Sequence, residues 1–339
     1  MALSSNSFSI KSSLLNNDML IERRKNEKYA YFIGCIAQFI WAINSIQLKS
    51  YKLTFPKVYS NNSLVFWRSL PIWVLGYIFS YMKNIEITPH KAIKHKFWFF
   101  FRSFGNYVGV FLWLYMMNYF RVSTCQCIAG CFPVGVLFLS ILILHESFYY
   151  RYLFGIIFCI FGTTIIVLNE KKPEVVQNKQ NSNIFVGLLY AFSHFTIFVF
   201  SNFGQKILSK QKMNGDVQNY YLGMYNTLPA LFCMIIENHY GISNILYVLY
   251  AISNGFLFYI ANYYQSLALD YISMSKFLPI TYMNTVFIFI LGYLLLNENV
   301  YINDIIGSMM IMGFQIYNVM VPVGVQPKIE KDNNSQSNK

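Results

Sequence analysis

Residues 123–155, STCQCIAGCFPVGVLFLSILILHESFYYRYLFG, and residues 275–307, SKFLPITYMNTVFIFILGYLLLNENVYINDIIG, decide the fold. Laid over each other at a spacing of 152 positions, they pair Ser123 with Ser275, Leu142 with Leu294, Leu144 with Leu296, Glu146 with Glu298, Tyr149 with Tyr301 and Gly155 with Gly307. Just upstream, Asn118-Tyr119 pairs with Asp270-Tyr271 at the same spacing. In each copy an apolar block ends near a glutamate and a second apolar block follows. Blocks of about twenty apolar residues match a hydrocarbon layer about 30 Å thick at about 1.5 Å of rise per helical residue. The second half of the chain therefore repeats the first, and each copy ends in a pair of membrane-spanning helices.

Reading outward in windows of about nineteen residues gives further blocks of the same kind. They run over 29–48, 64–82, 97–120, 123–144 and 152–168, then, after the polar stretch 169–183, over 184–203, 220–236, 245–266, 275–296 and 305–321. The blocks are apolar throughout and do not alternate, which selects helices over barrel strands. Five spans per half is an odd number, so the second copy enters the membrane in the opposite sense. The expected fold is an all-α polytopic membrane protein of ten transmembrane helices, arranged as two inverted five-helix repeats at 29–169 and 184–322. A connecting loop is expected at 170–183, with tails at 1–28 and 323–339.

Composition points the same way. Of 339 residues, 55% are hydrophobic and 12% charged, against roughly 45–50% and about 25% in soluble domains. The net charge of +12 lies in short loops and forms no continuous stripe, which argues against a nucleic-acid partner. Sixteen of the 26 Lys and Arg residues fall on the side that holds both tails, and seven fall on the other (Lys49, Lys52, Lys57, Arg121, Lys171, Lys172 and Lys179), so both termini are expected in the cytosol. Which membrane holds the chain is left open. The first 28 residues lack a basic stub leading into an apolar region, so no cleaved signal peptide is expected and both tails read as solvated. Cys35, Cys125, Cys127, Cys131, Cys159 and Cys233 all sit inside apolar blocks, as packing residues.

The run Tyr119-Phe-Arg-Val-Ser123, Pro133, Leu142-Ile-Leu-His-Glu146, Gly155 and Gly162 resembles the end of an EamA-type repeat of the drug/metabolite transporter superfamily, of the solute-carrier-35-like kind. Asp270-Tyr-Ile-Ser-Met-Ser275, Pro279, Leu294-Leu-Leu-Asn-Glu298, Gly307 and Gly313 resemble its second copy, and the likeness covers roughly 29–322. The chain departs from the pattern at Lys276, where a small residue is usual, and in the second glycine, offset by one between the halves. The resemblance implies a ten-helix bundle whose third, fourth, eighth and ninth spans line much of a central cavity. It also implies alternating access, and solutes such as nucleotide sugars, sugar phosphates, organic acids or amino acids.

A cation inside a span must be paired or face water, because exposure to lipid costs at least about 2.5 kcal/mol. Arg68, Arg102 and Lys276 are therefore candidate contacts to an anionic solute, although each could instead snorkel or serve a structural pair. Asn106, Gln126, Asn262, Gln265 and Asn284 are candidate neutral contacts; the alternative for them is interhelical hydrogen bonding, worth about 0.6 kcal/mol on average. Glu146 and Glu298 end corresponding blocks, which suggests a shared capping duty. Asp270 lies near a span end and acids inside spans are scarce, so exchange or facilitated movement is favoured over proton coupling.

Gly105 and Gly109 form a GxxxG surface for close helix approach. Gly155, Gly162, Gly307 and Gly313 lie on the helix pair that makes dimer contacts in some relatives, which is compatible with a homodimer. His194 stands alone in its span and reads as a hydrogen-bonded helix residue. The sequence shows no metal-ligand set, no phosphate loop and no Ser/His/Asp set in usable context, so neither a cofactor nor a catalytic activity is expected. The reading is a secondary transporter that moves a small polar or anionic metabolite through a central cavity, with the solute and the lipid bilayer as its partners. Its rivals are a transporter-fold receptor or scaffold and, less favoured, a membrane-embedded enzyme.

Overall fold

The computed structural model describes residues 3–55, 60–87, 96–120, 122–129, 132–144, 154, 157–158, 160–162, 164–166, 184–211, 213–242, 244–272, 277, 280–281 and 283–320. Among these the regular structure is helical: α1 (Leu3–Thr54), α2 (Asn61–Met82), α3 (Lys96–Met116), α4 (Val122–Ala129), α5 (Phe132–Leu144), α6 (Ile184–Lys210), α7 (Gly215–Glu237), α8 (Ile245–Tyr271), α9 (Met283–Leu296) and α10 (Ile302–Met320). The described part of the fourth apolar block comprises α4 and α5, with 130–131 outside the described residues, as is most of the fifth block. Segments Asn26–Thr54, Asn61–Met82, Phe185–Ser209 and Ile245–Tyr271 are long and apolar enough to cross a membrane. Where the sequence suggests a tail at 1–28, α1 already begins at Leu3; this stretch contains neither Pro nor Gly, so nothing in it stops the apolar helix from propagating toward the N-terminus. Asn84, Asn238 and Asn297 follow helix ends at φ of 52°, 50° and 50°, the left-handed cap that asparagine tolerates.

The burial pattern is that of a protein solvated by lipid. Phe32, Tyr81, Phe185, Phe192, Ile236 and Leu294 are exposed, while Gln38, Asn44, Arg68, Arg102, Asn219 and Asn254 are buried. Water would reverse this arrangement, because a large exposed apolar surface is costly there and buried polar groups need internal partners.

The helices pack across the two halves. Asn44 meets Asn254 and Tyr51 meets Tyr247, so partner numbers fall along α8 as they rise along α1, and the pair is antiparallel. Arg102 meets Ser201 and Gly109 meets His194, which makes α3 and α6 antiparallel as well. α1 also packs on α9 and α6 on α5, α2 on α8 and α3 on α7. Exchanging the halves (α1 with α6, α2 with α7, α3 with α8, α4 and α5 with α9) maps this set of contacts onto itself.

The closest approach joins α2 to α7. A Cβ placed on Gly76 would lie 2.6 Å from the Tyr220 backbone nitrogen, and one on Gly223 would strike the Trp73 backbone nitrogen. These are one contact seen twice, since moving 147 positions carries Trp73 to Tyr220 and Gly76 to Gly223. The same loss of space recurs where α8 meets α2, with Gly255 against the Arg68 carbonyl, and where Gly307 of α10 meets the Gly162 carbonyl. That last contact engages two of the proposed dimer-face glycines within a single chain.

Gly223→Val should overpack the α2/α7 crossing and cost about 1–3 kcal/mol or more, read as a lower melting temperature in detergent. Gly313→Ala, with nothing within 4 Å of its Cβ, should leave the melt unchanged.

Candidate functional site

The inner faces of these helices enclose a cavity of about 120 Å³. Its wall is built twice. Trp41, Asn44, Ser45 and Leu48 of α1 recur 157 positions later as Phe198, Ser201, Asn202 and Gln205 of α6. Asn106, Val110 and Trp113 of α3 recur 152 positions later as Phe258, Asn262 and Gln265 of α8, and Ala129 and Phe132 recur at the same spacing as Thr281 and Asn284. Gln38, Arg68, Arg102, His194 and Leu222 complete the lining outside this correspondence. Even hydrogen bonds repeat: Ser201 Oγ donates to the Arg102 carbonyl at 2.7 Å, and Asn44 Nδ2 donates to the carbonyl of Asn254, 152 positions beyond Arg102, at 2.8 Å.

Six of the eight candidates from the sequence, Arg68, Arg102, Asn106, Asn262, Gln265 and Asn284, come together around this one cavity. Lys276 and the side chain of Gln126 lie outside the described residues. The third, fourth, eighth and ninth spans line the cavity as the resemblance implies, the fourth through Ala129 and Phe132, but the first and sixth contribute nearly as much wall again.

Arg68 is 4% exposed and Arg102 2%, and neither has a carboxylate partner among the described residues. Arg68 donates from Nη2 to Asn44 Oδ1 at 3.3 Å and lies over the Phe258 ring, 4.4 Å from its centroid. Asn44 is in turn fixed by Asn254, whose Nδ2 donates back to the Asn44 carbonyl at 3.1 Å. Arg102 donates from Nη1 to Gln218 Oε1, and Gln218 Nε2 donates to the Met213 carbonyl at 2.9 Å. Each guanidinium is thus held by a neutral amide that orients it without cancelling its charge. Among the described residues Arg68 Nε, Arg102 Nη2, Gln205 Nε2 and Asn284 Oδ1 are buried with no hydrogen-bond partner.

The neutral groups are mostly committed to the frame. Asn226 Nδ2 donates to Asn106 Oδ1 at 3.1 Å, and Trp41 Nε1 donates to Gln265 Oε1 at 3.0 Å. His194 Nδ1 is 2.9 Å from the Gly109 carbonyl, which can only accept, so the proton sits on Nδ1 and the ring pins α6 to α3. Among the described residues no group of three or more His, Cys, Asp or Glu is placed to hold a metal ion.

Among the described residues two ionic clusters bracket the bundle away from the cavity. Glu298, just past the end of α9, accepts from Lys49 Nζ at 2.5 Å and from the Val122 N–H at the start of α4 at 3.3 Å, while its own N–H donates to the Gly292 carbonyl. It caps one helix and ties two others to it. Beyond the opposite end of α2, Lys83 Nζ lies 2.6 Å from Asp216 Oδ2, and Tyr259 Oη donates to Asp216 Oδ1 at 2.6 Å. Burial alone would pull the Lys83 ammonium down, but Asp216 outweighs it and holds the group above the usual lysine value.

The sequence profile of the EamA-like transporter family matches this chain twice, over residues 28–168 and 181–317. Among curated proteins none matches. The described fold is similar to that of solved structures: one crystal structure of a protein, 12% identical, covers 86% of this chain and 97% of its own with a TM-score of 0.62.

In a double-mutant cycle of Asp216→Ala with Lys83→Met, melting in detergent should show a coupling of about 0.5–3 kcal/mol. Asp216→Ala alone should be the costlier change, since it also strips Tyr259 of its acceptor. A coupling of zero would make the pair decorative.

Proposed function

Because the chain belongs to the EamA-like transporter family of the drug/metabolite transporter superfamily, we propose that it moves a small polar or anionic metabolite across its membrane by alternating access through the central cavity. It is an integral membrane protein. In this reading it has ten membrane-crossing helices in two inverted repeats, with both termini in the cytosol. The antiparallel pairing of α2 with α7, its counterpart in the other half, supports the inversion. A cavity whose wall is contributed twice over supports the exchange of roles between halves that alternating access needs.

The observation that carries the solute class is the pair of buried arginines. Two cations in a low-dielectric cavity, each oriented by a neutral amide and each with an unpartnered N–H, are compensated by a solute that brings negative charge. Arg68 and Arg102 supply the charge contacts in this scheme. Asn106, Asn262, Gln265 and Asn284 supply neutral ones, and Gln126 and Lys276 join them on the sequence argument. No acid faces the arginines among the described residues, so the charge balance favours exchange over proton coupling.

Purified protein in liposomes preloaded with a mixed metabolite pool should take up labelled anions by counterflow. Arg68→Gln and Arg102→Gln should each reduce that uptake by about tenfold or more, with melting temperatures near the wild-type value, and Lys276→Gln should weaken it. Uptake of cations or neutral solutes that ignores all three substitutions would overturn the anion assignment. Flat counts from a folded protein would favour a receptor or scaffold.

A further inference from the structure

The two arginines line one cavity but are not side by side. Arg68 lies seven residues into α2 from Asn61, and Arg102 lies six residues into α3 from Lys96. α3 begins at the face of the bundle where α2 ends. The antiparallel α2/α7 crossing gives the spacing between them. With Gly76 facing Tyr220 and Trp73 facing Gly223, the Arg102 partner Gln218 falls level with position 78 of α2. That is ten residues, or about 15 Å of helical rise, from Arg68.

The repeated wall gives the same answer independently. Arg68 is bonded to Asn44 and Arg102 is bonded through its carbonyl to Ser201. Asn44 and Ser201 are corresponding positions of α1 and α6, which the exchange of halves carries into each other and so places on opposite sides of the crossing. Between the two guanidiniums the lining offers amides and aromatic faces, with no further charge among the described residues.

We infer that the cavity receives its anion at two stations, Arg68 serving the mouth at the Asn61 face and Arg102 serving the mouth at the Lys96 face, with neutral amides between them. This deepens the anion-transporter reading and rests on it. A single arginine at mid-depth would have to let go of the anion unaided on either side. Two arginines at unequal depth let each access state present its own cation to the solute, and the anion moves between them across groups that bind it only weakly.

The test uses a reporter at mid-depth and reagents of opposite charge. Asn106 is near the centre of α3, so Asn106→Cys is placed in a full-length background with Cys35, Cys125, Cys127, Cys131, Cys159 and Cys233 replaced by Ala. In sidedness-controlled vesicles it is treated from each face with sulfonatoethyl or trimethylammonioethyl methanethiosulfonate, and rates are normalised to the uncharged methyl reagent. The sulfonate should be favoured by about tenfold from both faces. Arg68→Gln should erase that preference only for reagent arriving from the Asn61 face, and Arg102→Gln only from the Lys96 face. Arg68→Lys and Arg102→Lys should retain it, which separates loss of charge from loss of folding. If each Gln variant lowers the preference equally from both faces, the arginines form one shared site; the two-station inference then falls while the anion reading stands. If the starting protein shows no sulfonate preference from either face, the anion reading fails and takes this inference with it.

Discussion

The arrangement depends on one place where two backbones touch. At Trp73–Gly76 against Tyr220–Gly223 the helices α2 and α7 approach so closely that neither glycine can carry a side chain. In lipid there is no hydrophobic gain from bringing helices together, so van der Waals contact between small residues does the work. Because the contact maps onto itself when the halves are exchanged, it fixes the relation of one half to the other. The cross-pairing of α1 with α8 and of α3 with α6 follows from it, and so does the cavity, which is the space those four helices cannot fill once α2 and α7 have met.

A protein in a bilayer has to place its polar side chains inside, and here they are sorted by task. Asn44 with Asn254, Asn106 with Asn226 and Trp41 with Gln265 are hydrogen-bonded pairs between helices, with Asn254 Oδ1 and Asn226 Oδ1 left unpaired among the described residues. Each such bond is worth about 0.6 kcal/mol on average, so their contribution is register more than stability. The ionic ties Lys49–Glu298 and Lys83–Asp216 sit toward the ends, where side chains begin to reach water and the cost of burying charge is lower. Unpaired buried polar atoms among the described residues are spread through the bundle, at Ser103, Asn219, Thr227 and Ser266 for example, and four of them, on Arg68, Arg102, Gln205 and Asn284, lie on the cavity wall. Leaving a buried polar group unsatisfied costs about 1–3 kcal/mol, and among these groups only Arg68 and Arg102, both on the wall, carry charge; that is what sets the two apart as contacts for a negative solute in the proposed reading.

Much of this was legible in the chain. Apolar runs of about twenty residues located most of the described helices, and the cost of a cation in lipid singled out Arg68 and Arg102, with Lys276, which lies outside the described residues. The cavity wall on α1 and α6 is harder to read, although the signal is present: Gln38, Trp41, Asn44, Ser45 and Leu48 fall at helical spacing on one face of an apolar block, as do His194, Phe198, Ser201, Asn202 and Gln205. Neutral amides in a polar-poor span are weak evidence one at a time. The repeat was the stronger instrument, since carrying Asn106, Asn262, Gln265 and Asn284 across 152 positions lands on Phe258, Val110, Trp113 and Phe132, all on the wall. Periodicity could not have given Gln218 or Asn226 as partners, because those contacts depend on how far apart the halves sit.

The frame is repeated but its charge is not. Arg102 corresponds at 152 positions to Asn254, which is buried in a bond to Asn44 and does not line the cavity, and Arg68 corresponds at 147 positions to Gly215, the first residue of α7. Both cations therefore come from the first half; Gln218, which orients Arg102, and Phe258, which covers Arg68, come from the second, whereas Asn44, which orients Arg68, comes from the first. If the halves rock against each other about the glycine crossing, the arginines and Asn44 move as one body, and Gln218 and Phe258 as another. The contacts Arg102–Gln218 and Arg68–Phe258 are then the ones that change between access states, so the grip on a negative solute is coupled to the motion by the same two side chains that attract it.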